Sequence, residues 1–299
     1  MRSRRATRNA VVLALAAALA SITLAACGDD DESPSSQPDT DVTFESGTTM
    51  ARLNEQGSVT VGTKFDQPLF GLKTLSGDPE GFDVEIAKII AANLGIAADD
   101  INWIETPSAV REEVISRGQV DFVVATYTIN DERKERISFA GPYYVAGQDL
   151  MVRADEEEIT GPDSLRDVDG KVCSVTGSTP SETIKEYVPS DRIVLFDVYS
   201  KCADALEKGT DGVRAVTTDN VILLGLVSER PEEFKLVGER FTEEPYGIGI
   251  KKGDTAFCEF INDALTEAQE DGSYSDAWDS TAGEVAGEAP ELPELDACA

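Results

Sequence analysis

Twice along this chain, short β-branched runs alternate with stretches of helical period, and that alternation restricts the fold more than any other feature. Alternation of this kind implies α/β architecture with parallel sheets. In the first series, Ser58–Gly62 reads as a strand. A helix capped by Asp83 follows, with Phe82, Ile86, Ile89, Ile90 and Leu94 on one face and Gly95 at its end. Ile101–Ile104 is a second strand, Ala109–Arg117 a helix stopped by Gly118, and Val120–Val124 a buried strand. The second series starts at Lys171–Thr176. A Gly-Ser-Thr-Pro turn, a helix to Tyr187, strand Ile193–Phe196, helix Ser200–Lys208, strand Val213–Thr217 and a helix from Asn220 follow. Two series mean two lobes, and open sheets of this type take ligands outside the carboxyl ends of their strands.

The chain of 299 residues has room for two such lobes. Its formal charge of −31 disfavours a nucleic-acid partner, which needs clustered Lys and Arg. The absence of histidine removes a His-based catalytic triad and the commonest metal ligand, and neither a metal nor a cofactor is expected. Arg2, Arg4, Arg5 and Arg8 precede an apolar core from Ala10 to Ala20, and Leu24-Ala25-Ala26-Cys27 reads as a lipobox. Residues 1–26 are therefore expected to be a lipoprotein signal peptide, with Cys27 lipidated at the extracytoplasmic face of the membrane. The apolar run is short for a transmembrane anchor. Loss of the four arginines takes the charge from −31 to −35. Residues 27–49, acidic and rich in Ser, Pro and Thr, read as a disordered tether. Four further cysteines, Cys173, Cys202, Cys258 and Cys298, allow three pairings. Cys173–Cys202 is favoured, because a strand and a following helix of one lobe are near neighbours, and this leaves Cys258–Cys298 to pin the tail.

The stretch Ala125–Tyr144 carries the clearest chemistry. On a continuing strand, Thr126 and Thr128 would share a face and Tyr127 the other. Asn130 can cap a short helix, Asp131–Arg136, which brings Arg133 beside two hydroxyls and a helix N-terminus. Such a grouping suits a carboxylate, since a guanidinium binds both oxygens. The pattern T-x-x-x-x-R-K-x-x-I-x-F-x-x-P-Y-Y resembles the signature of polar amino-acid solute-binding proteins of ABC importers, family 3. The resemblance runs from about Ser58 to Trp278. It is nearest to the glutamate-binding lipoproteins of actinobacteria, whose GTKxDQP, EGFD, TYTIN-x-x-R and VTTDN blocks match Gly62–Pro68, Glu80–Asp83, Thr126–Arg133 and Val216–Asn220.

The resemblance implies a two-lobed periplasmic-binding-protein-like fold with two crossing segments, near Pro142–Leu150 and Leu236–Tyr246, and a ligand cleft between the lobes. Lobe one would comprise residues 50–146 and 243–282, lobe two residues 147–242, and residues 283–299 an extended tail. Arg133, Thr128 and Thr126 would hold the α-carboxylate of an amino acid, with help from the backbone of Gly177, Ser178 and Thr179. Asp219 would hold the ammonium. Lys64, in the slot where relatives that bind basic ligands carry an acid, would read an acidic side chain at the cleft mouth. Phe65 would wall the aliphatic part, Ser108 would keep the pocket polar, and Arg111 is a second candidate for the distal carboxylate. The implied protein is a monomeric receptor that hands glutamate or a related amino acid to an ABC permease. A sensor subunit would bind ligand in the same way. An enzyme on this architecture, a dehydratase or transglycosylase, would need an additional acid or base in the cleft.

Overall fold

The computed structural model describes residues 38–39, 41–75 and 77–299. The expected signal peptide, Cys27 and the start of the tether lie outside these residues. In chain order the elements begin with helix α1 (Thr49–Gln56), strand β1 (Val59–Thr63) and the short strands β2 (Asp66–Gln67), β3 (Gly71–Lys73) and β4 (Pro79–Glu80). Next come α2 (Phe82–Asn93), β5 (Ile101–Glu105), α3 (Arg111–Ser116), β6 (Phe122–Val123), the single-turn helix α4 (Asp131–Lys134) and β7 (Ser138–Ala146). The chain continues through β8 (Gln148–Arg153), β9 (Lys171–Val175), α5 (Thr179–Thr183), β10 (Ile193–Phe196), α6 (Tyr199–Lys208), β11 (Val213–Asp219), α7 (Asn220–Glu229) and β12 (Phe234–Leu236). It closes with β13 (Glu244–Ile250), α8 (Thr255–Asp271), α9 (Ser273–Trp278) and α10 (Glu284–Ala286).

The strands form two larger sheets, ordered β5-β1-β6-β13-β7 and β10-β9-β11-β8-β12, with β2-β3-β4 as a small antiparallel sheet. Each large sheet has three parallel strands, as the alternation predicts: β5, β1 and β6 in one, and β10, β9 and β11 in the other. The remaining pairs are antiparallel, so both sheets are mixed. The reason is the chain path. It passes from the first sheet to the second at Gly147, between β7 and β8, and returns over residues 237–243. The turns that follow the parallel strands β6 and β9 meet where Arg133 donates to Gly177 O.

Burial follows the periodicity. Ile86, Ile89 and Ile90 of α2 and Leu94 at its C-cap join Phe70, Phe82, Tyr143, Tyr246 and Trp278 in one apolar core. The second sheet has a cluster on each face, around Leu206, Leu223 and Phe234 and around Leu150, Leu165 and Ile184. The start of α2 departs from expectation. Gly81 occupies the N-cap at φ 130°, and a Cβ there would lie 2.4 Å from the Phe70 carbonyl. Asp83 is therefore no cap; it sits inside the first turn, fully buried. The strand expected over Val120–Val124 is only two residues long. It ends before Thr126, whose φ of 44° is left-handed, so the alternation of faces expected for Thr126–Thr128 does not occur.

The chain ends also differ from their expectations. The tether was expected to remain disordered to residue 49, but Phe44 packs edge-on against Phe260 at 5.6 Å. Beyond α10 the tail has no regular structure, yet it is held down. Leu292 and Leu295 pack on the lobe-one core, Asp296 N donates to Gly141 O, and the Trp278 indole donates to Gly287 O. Both disulfides form as favoured: Cys173–Cys202 with Cα atoms 5.6 Å apart, and Cys258–Cys298 at 5.8 Å. The first closes a loop of 29 residues. Replacing Cys173 and Cys202 together by serine is expected to lower unfolding free energy by about 3–4 kcal/mol, measured by urea denaturation without reductant.

Candidate ligand-binding cleft

The amino end of α4 is built as the sequence predicts. Asn130 Oδ1 accepts from Arg133 N at 2.9 Å, which fixes the turn and aims the Arg133 side chain inward. That guanidinium is buried. It donates to Thr128 O at 2.6 Å and, across the cleft, to Gly177 O at 3.2 Å, and it pairs with Glu112 at 3.3 Å. Thr128 Oγ1 stands 3.4 Å from Thr179 Oγ1, and Thr179 donates to Glu244 at 2.8 Å. Thr128 and Glu244 belong to the first lobe and Thr179 to the second, so the cleft is closed here. A cavity of about 540 Å³ opens beside this contact, lined by Arg133, Ser108, Glu112, Ser178, Thr179 and Arg136 among others.

Behind that wall lies a cluster of buried charge. Lys64 is not at the cleft mouth, where the sequence reading put it: it is 3% exposed and donates to Ser108 Oγ at 2.8 Å. Burial, aided by the Arg111 cation, pushes its ammonium down to about 7. Arg111 is buried as well. Its guanidinium lies 4.0 Å from the Tyr127 ring centroid and donates to Ala125 O at 2.9 Å, while Nε has no hydrogen-bond partner. Burial and the neighbouring Arg133 pull it down to about 10.

Asp219 ends β11 and precedes α7. It occupies the N-cap position without making a side-chain cap bond, so the ordinary structural role of an aspartate there is absent. One oxygen accepts from the Tyr246 hydroxyl at 2.7 Å; the other, Oδ1, is buried without a partner. Burial, then the nearby Glu244 carboxylate, raises its pKa to about 7. Gln67 Nε2 and Thr218 Oγ1 are likewise buried and unpartnered. Polar atoms left this way are unusual in a folded interior and suit a polar ligand. Among the described residues, no group of three or more acidic, histidine or cysteine side chains is arranged to hold a metal ion.

Three expected contributors are otherwise engaged. Thr126 donates its N–H to Asp83 and its hydroxyl to Gln67 Oε1, within lobe one. Ser178 is the N-cap of α5: its hydroxyl accepts from Ser181 N, and its own N–H donates to Val175 O, so its amide is not available to a carboxylate. Phe65 is half-buried with the Lys73 ammonium 4.7 Å from its ring, and is not on the cavity wall. Conversely, the sequence reading missed Asp83, Gln67, Glu112, Glu244 and Tyr246. Only the EGFD and GTKxDQP blocks, which contain Asp83 and Gln67, signalled any of them.

This geometry agrees with the comparisons to known proteins. The sequence profile of bacterial extracellular solute-binding proteins, family 3, matches residues 59–280, and the chain belongs to that family. It is 41% identical over 273 residues to the glutamate-binding protein GluB of Corynebacterium efficiens, covering 87% of this chain and 85% of the relative. It is 36% identical to the ABC transporter glutamine-binding protein GlnH of Bacillus subtilis, covering 89% and 94%. Among solved structures, an ancestral arginine-binding protein bound to glutamine superposes with a TM-score of 0.70 at 33% identity, covering 78% of this chain and 99% of that one.

Asp83 supports the site from below. It accepts from the Tyr143 hydroxyl and from Thr126 N. In the variant Asp83→Ala both donors lose their acceptor, each at about 1–3 kcal/mol. Urea denaturation of the ligand-free variant is expected to show that loss.

Proposed function

We propose that this chain is an extracytoplasmic receptor, lipid-anchored through Cys27, that binds glutamate or a closely related acidic or amide amino acid and delivers it to an ABC permease. The observation that carries this reading is the arrangement of three buried cations, Lys64, Arg111 and Arg133, with the half-partnered carboxylate of Asp219. An acidic amino acid has the complementary charges. In this reading Arg133, Thr128 and Thr179 hold the α-carboxylate, Asp219 takes the ammonium, and Lys64 with Arg111 faces the side-chain carboxylate, with Ser108 orienting Lys64. Residues 50–146 with 243–282, and residues 147–242, are the two lobes that close on it. The relatives named for glutamate and glutamine binding support this ligand class.

We read the chain as a binding protein rather than an enzyme. In this reading Asp219 takes the ammonium, and the other buried carboxylates of the cleft have holding roles: Asp83 the Thr126 turn, Glu112 the Arg133 pair, Glu244 the Thr179 contact. Delivery to a membrane sensor would use the same chemistry; the genes beside this one discriminate, since permease and ATPase genes go with import.

Calorimetry on purified protein tests the ligand and its readers. Arg133→Ala is expected to lose about 2–5 kcal/mol of binding, roughly 30- to several-thousand-fold in affinity. Lys64→Ala is expected to weaken glutamate more than glutamine, which lacks the distal charge; equal losses would remove Lys64 as the reader. Best binding by arginine would overturn the acidic-ligand reading.

The pH profile follows from two opposed titrations. Asp219 must be ionised to hold an ammonium, and its pKa stands near 7, so binding of glutamate and glutamine alike should fall as pH drops below about 7. Lys64 is charged only below about 7, so its attraction for a distal carboxylate is lost as pH rises. Glutamate affinity is therefore expected to peak near neutrality, and glutamine affinity to rise to a plateau, when both are measured between pH 5 and 9.

A further inference from the structure

Helix α6 has no cap of its own. The residue at its N-cap is Val198, which makes no side-chain hydrogen bond, although the first amides of a helix need acceptors from outside it. The acceptor comes from the other lobe. Asp66 Oδ2, in β2 of lobe one, accepts from Tyr199 N at 2.9 Å and from Ser200 N at 3.3 Å. A carboxylate at this place also meets the positive end of the helix.

A second contact accompanies it. Gly225 of α7 faces the backbone of Pro68, two residues beyond Asp66, and a Cβ on Gly225 would stand 2.4 Å from the Pro68 carbonyl oxygen. A glycine inside an apolar helix is otherwise unfavourable by about 1 kcal/mol relative to alanine. Its presence here is explained by the close approach of Pro68. Neither Asp66 nor Gly225 lines the cavity beside Arg133.

We propose that Asp66 is a positioning residue that latches the lobes in the closed state, capping α6 across the cleft on a contact kept tight by Gly225. The inference rests on the two-lobed reading of the fold and not on the identity of the ligand. When the cleft opens, Tyr199 N and Ser200 N lose their acceptor and Asp66 loses its helix. Those hydrogen bonds therefore favour the closed form alone, and they do so for any ligand that the cleft accepts. The latch raises affinity uniformly and slows release, whereas the buried cations choose the ligand.

The test compares wild type with Asp66→Ala, Asp66→Asn and Gly225→Ala, using glutamate, glutamine and aspartate as probes. Loss of a helix cap is expected to weaken binding about 5-fold. Asp66→Ala should show this loss equally for each probe that binds, with faster dissociation and an unchanged association rate in stopped-flow measurements. Asp66→Asn should restore most of the affinity, because asparagine caps helices as well as aspartate does. Gly225→Ala should also weaken every probe, while the ligand-free melting temperature holds or rises. The latch is overturned if Asp66→Ala binds with wild-type affinity or if its loss is selective among the probes. It is also overturned if asparagine does not rescue, which would make Asp66 a counter-charge to Lys64. A wild type that binds none of the probes counts against the ligand proposal alone. Hydrogen exchange at the Tyr199 and Ser200 amides then decides the latch: slower exchange in wild type than in Asp66→Ala supports it, and equal exchange overturns it.

Discussion

A carboxylate without access to water, Asp83, joins the parts on which the cleft depends. It sits in the first turn of α2, admitted there by the close approach of Gly81 to Phe70. Its partners are Tyr143, on the strand that runs toward the second lobe, and the amide of Thr126, in the turn that leads to Arg133. The Thr126 conformation, with φ at 44°, is one that a β-branched residue rarely takes. The Asp83 hydrogen bond is what holds it. Without that turn the chain would run on as a strand, and Arg133 would not reach Thr128 O and the opposite lobe. Burial raises the Asp83 pKa to about 7, the electrostatic consequence of placing a support where water cannot go.

The same constraint shapes the charges above it. In a chain of formal charge −31, the cations that could meet an acidic ligand are withdrawn from the surface and held in fixed geometry. Arg111 and Arg133 lie 4.0 and 5.0 Å from the centroid of one Tyr127 ring, and Glu112 balances Arg133. Burial lowers the pKa values of Lys64 and Arg111, and the repulsion of like charges so close lowers them further. The acidic ligand proposed above would relieve that repulsion. The selectivity we propose would come from preorganised local charge rather than from the field of the whole protein, which repels anions.

How much of this was legible in the sequence depended on whether the signal was local. Periodicity placed the helices and the parallel strands because burial on one face repeats along the chain; the Asn130 cap and the Arg133 turn were legible for the same reason. Strand β8 was not, nor was the antiparallel pairing of β13, of which the sequence returns only Ile248–Ile250 to lobe one, since both arise from the two passages between lobes. Lys64 was misplaced because one residue beyond a strand end can face either solvent or core, and only the tertiary position of Ser108 decides. Asp83 was taken for a cap because aspartate at a helix start normally is one, and its real partners are 43 and 60 residues away. Glu244 and Tyr246 carried no local pattern at all. Their role exists only because the chain comes back to lobe one beside Thr179 and Asp219.

Helix α8 receives both ends of the described chain. Phe44 packs edge-on against its Phe260, while Cys298 is bonded to its Cys258 and Asp296 O accepts from its Asn262. Lobe one thereby holds both ends of the described chain. The closure we propose would swing lobe two about Gly147 and residues 237–243 and leave these attachments in place. Mounted through Cys27 as we propose, such a receptor would keep lobe one at a constant height and orientation while the angle of lobe two reports whether the cleft is filled.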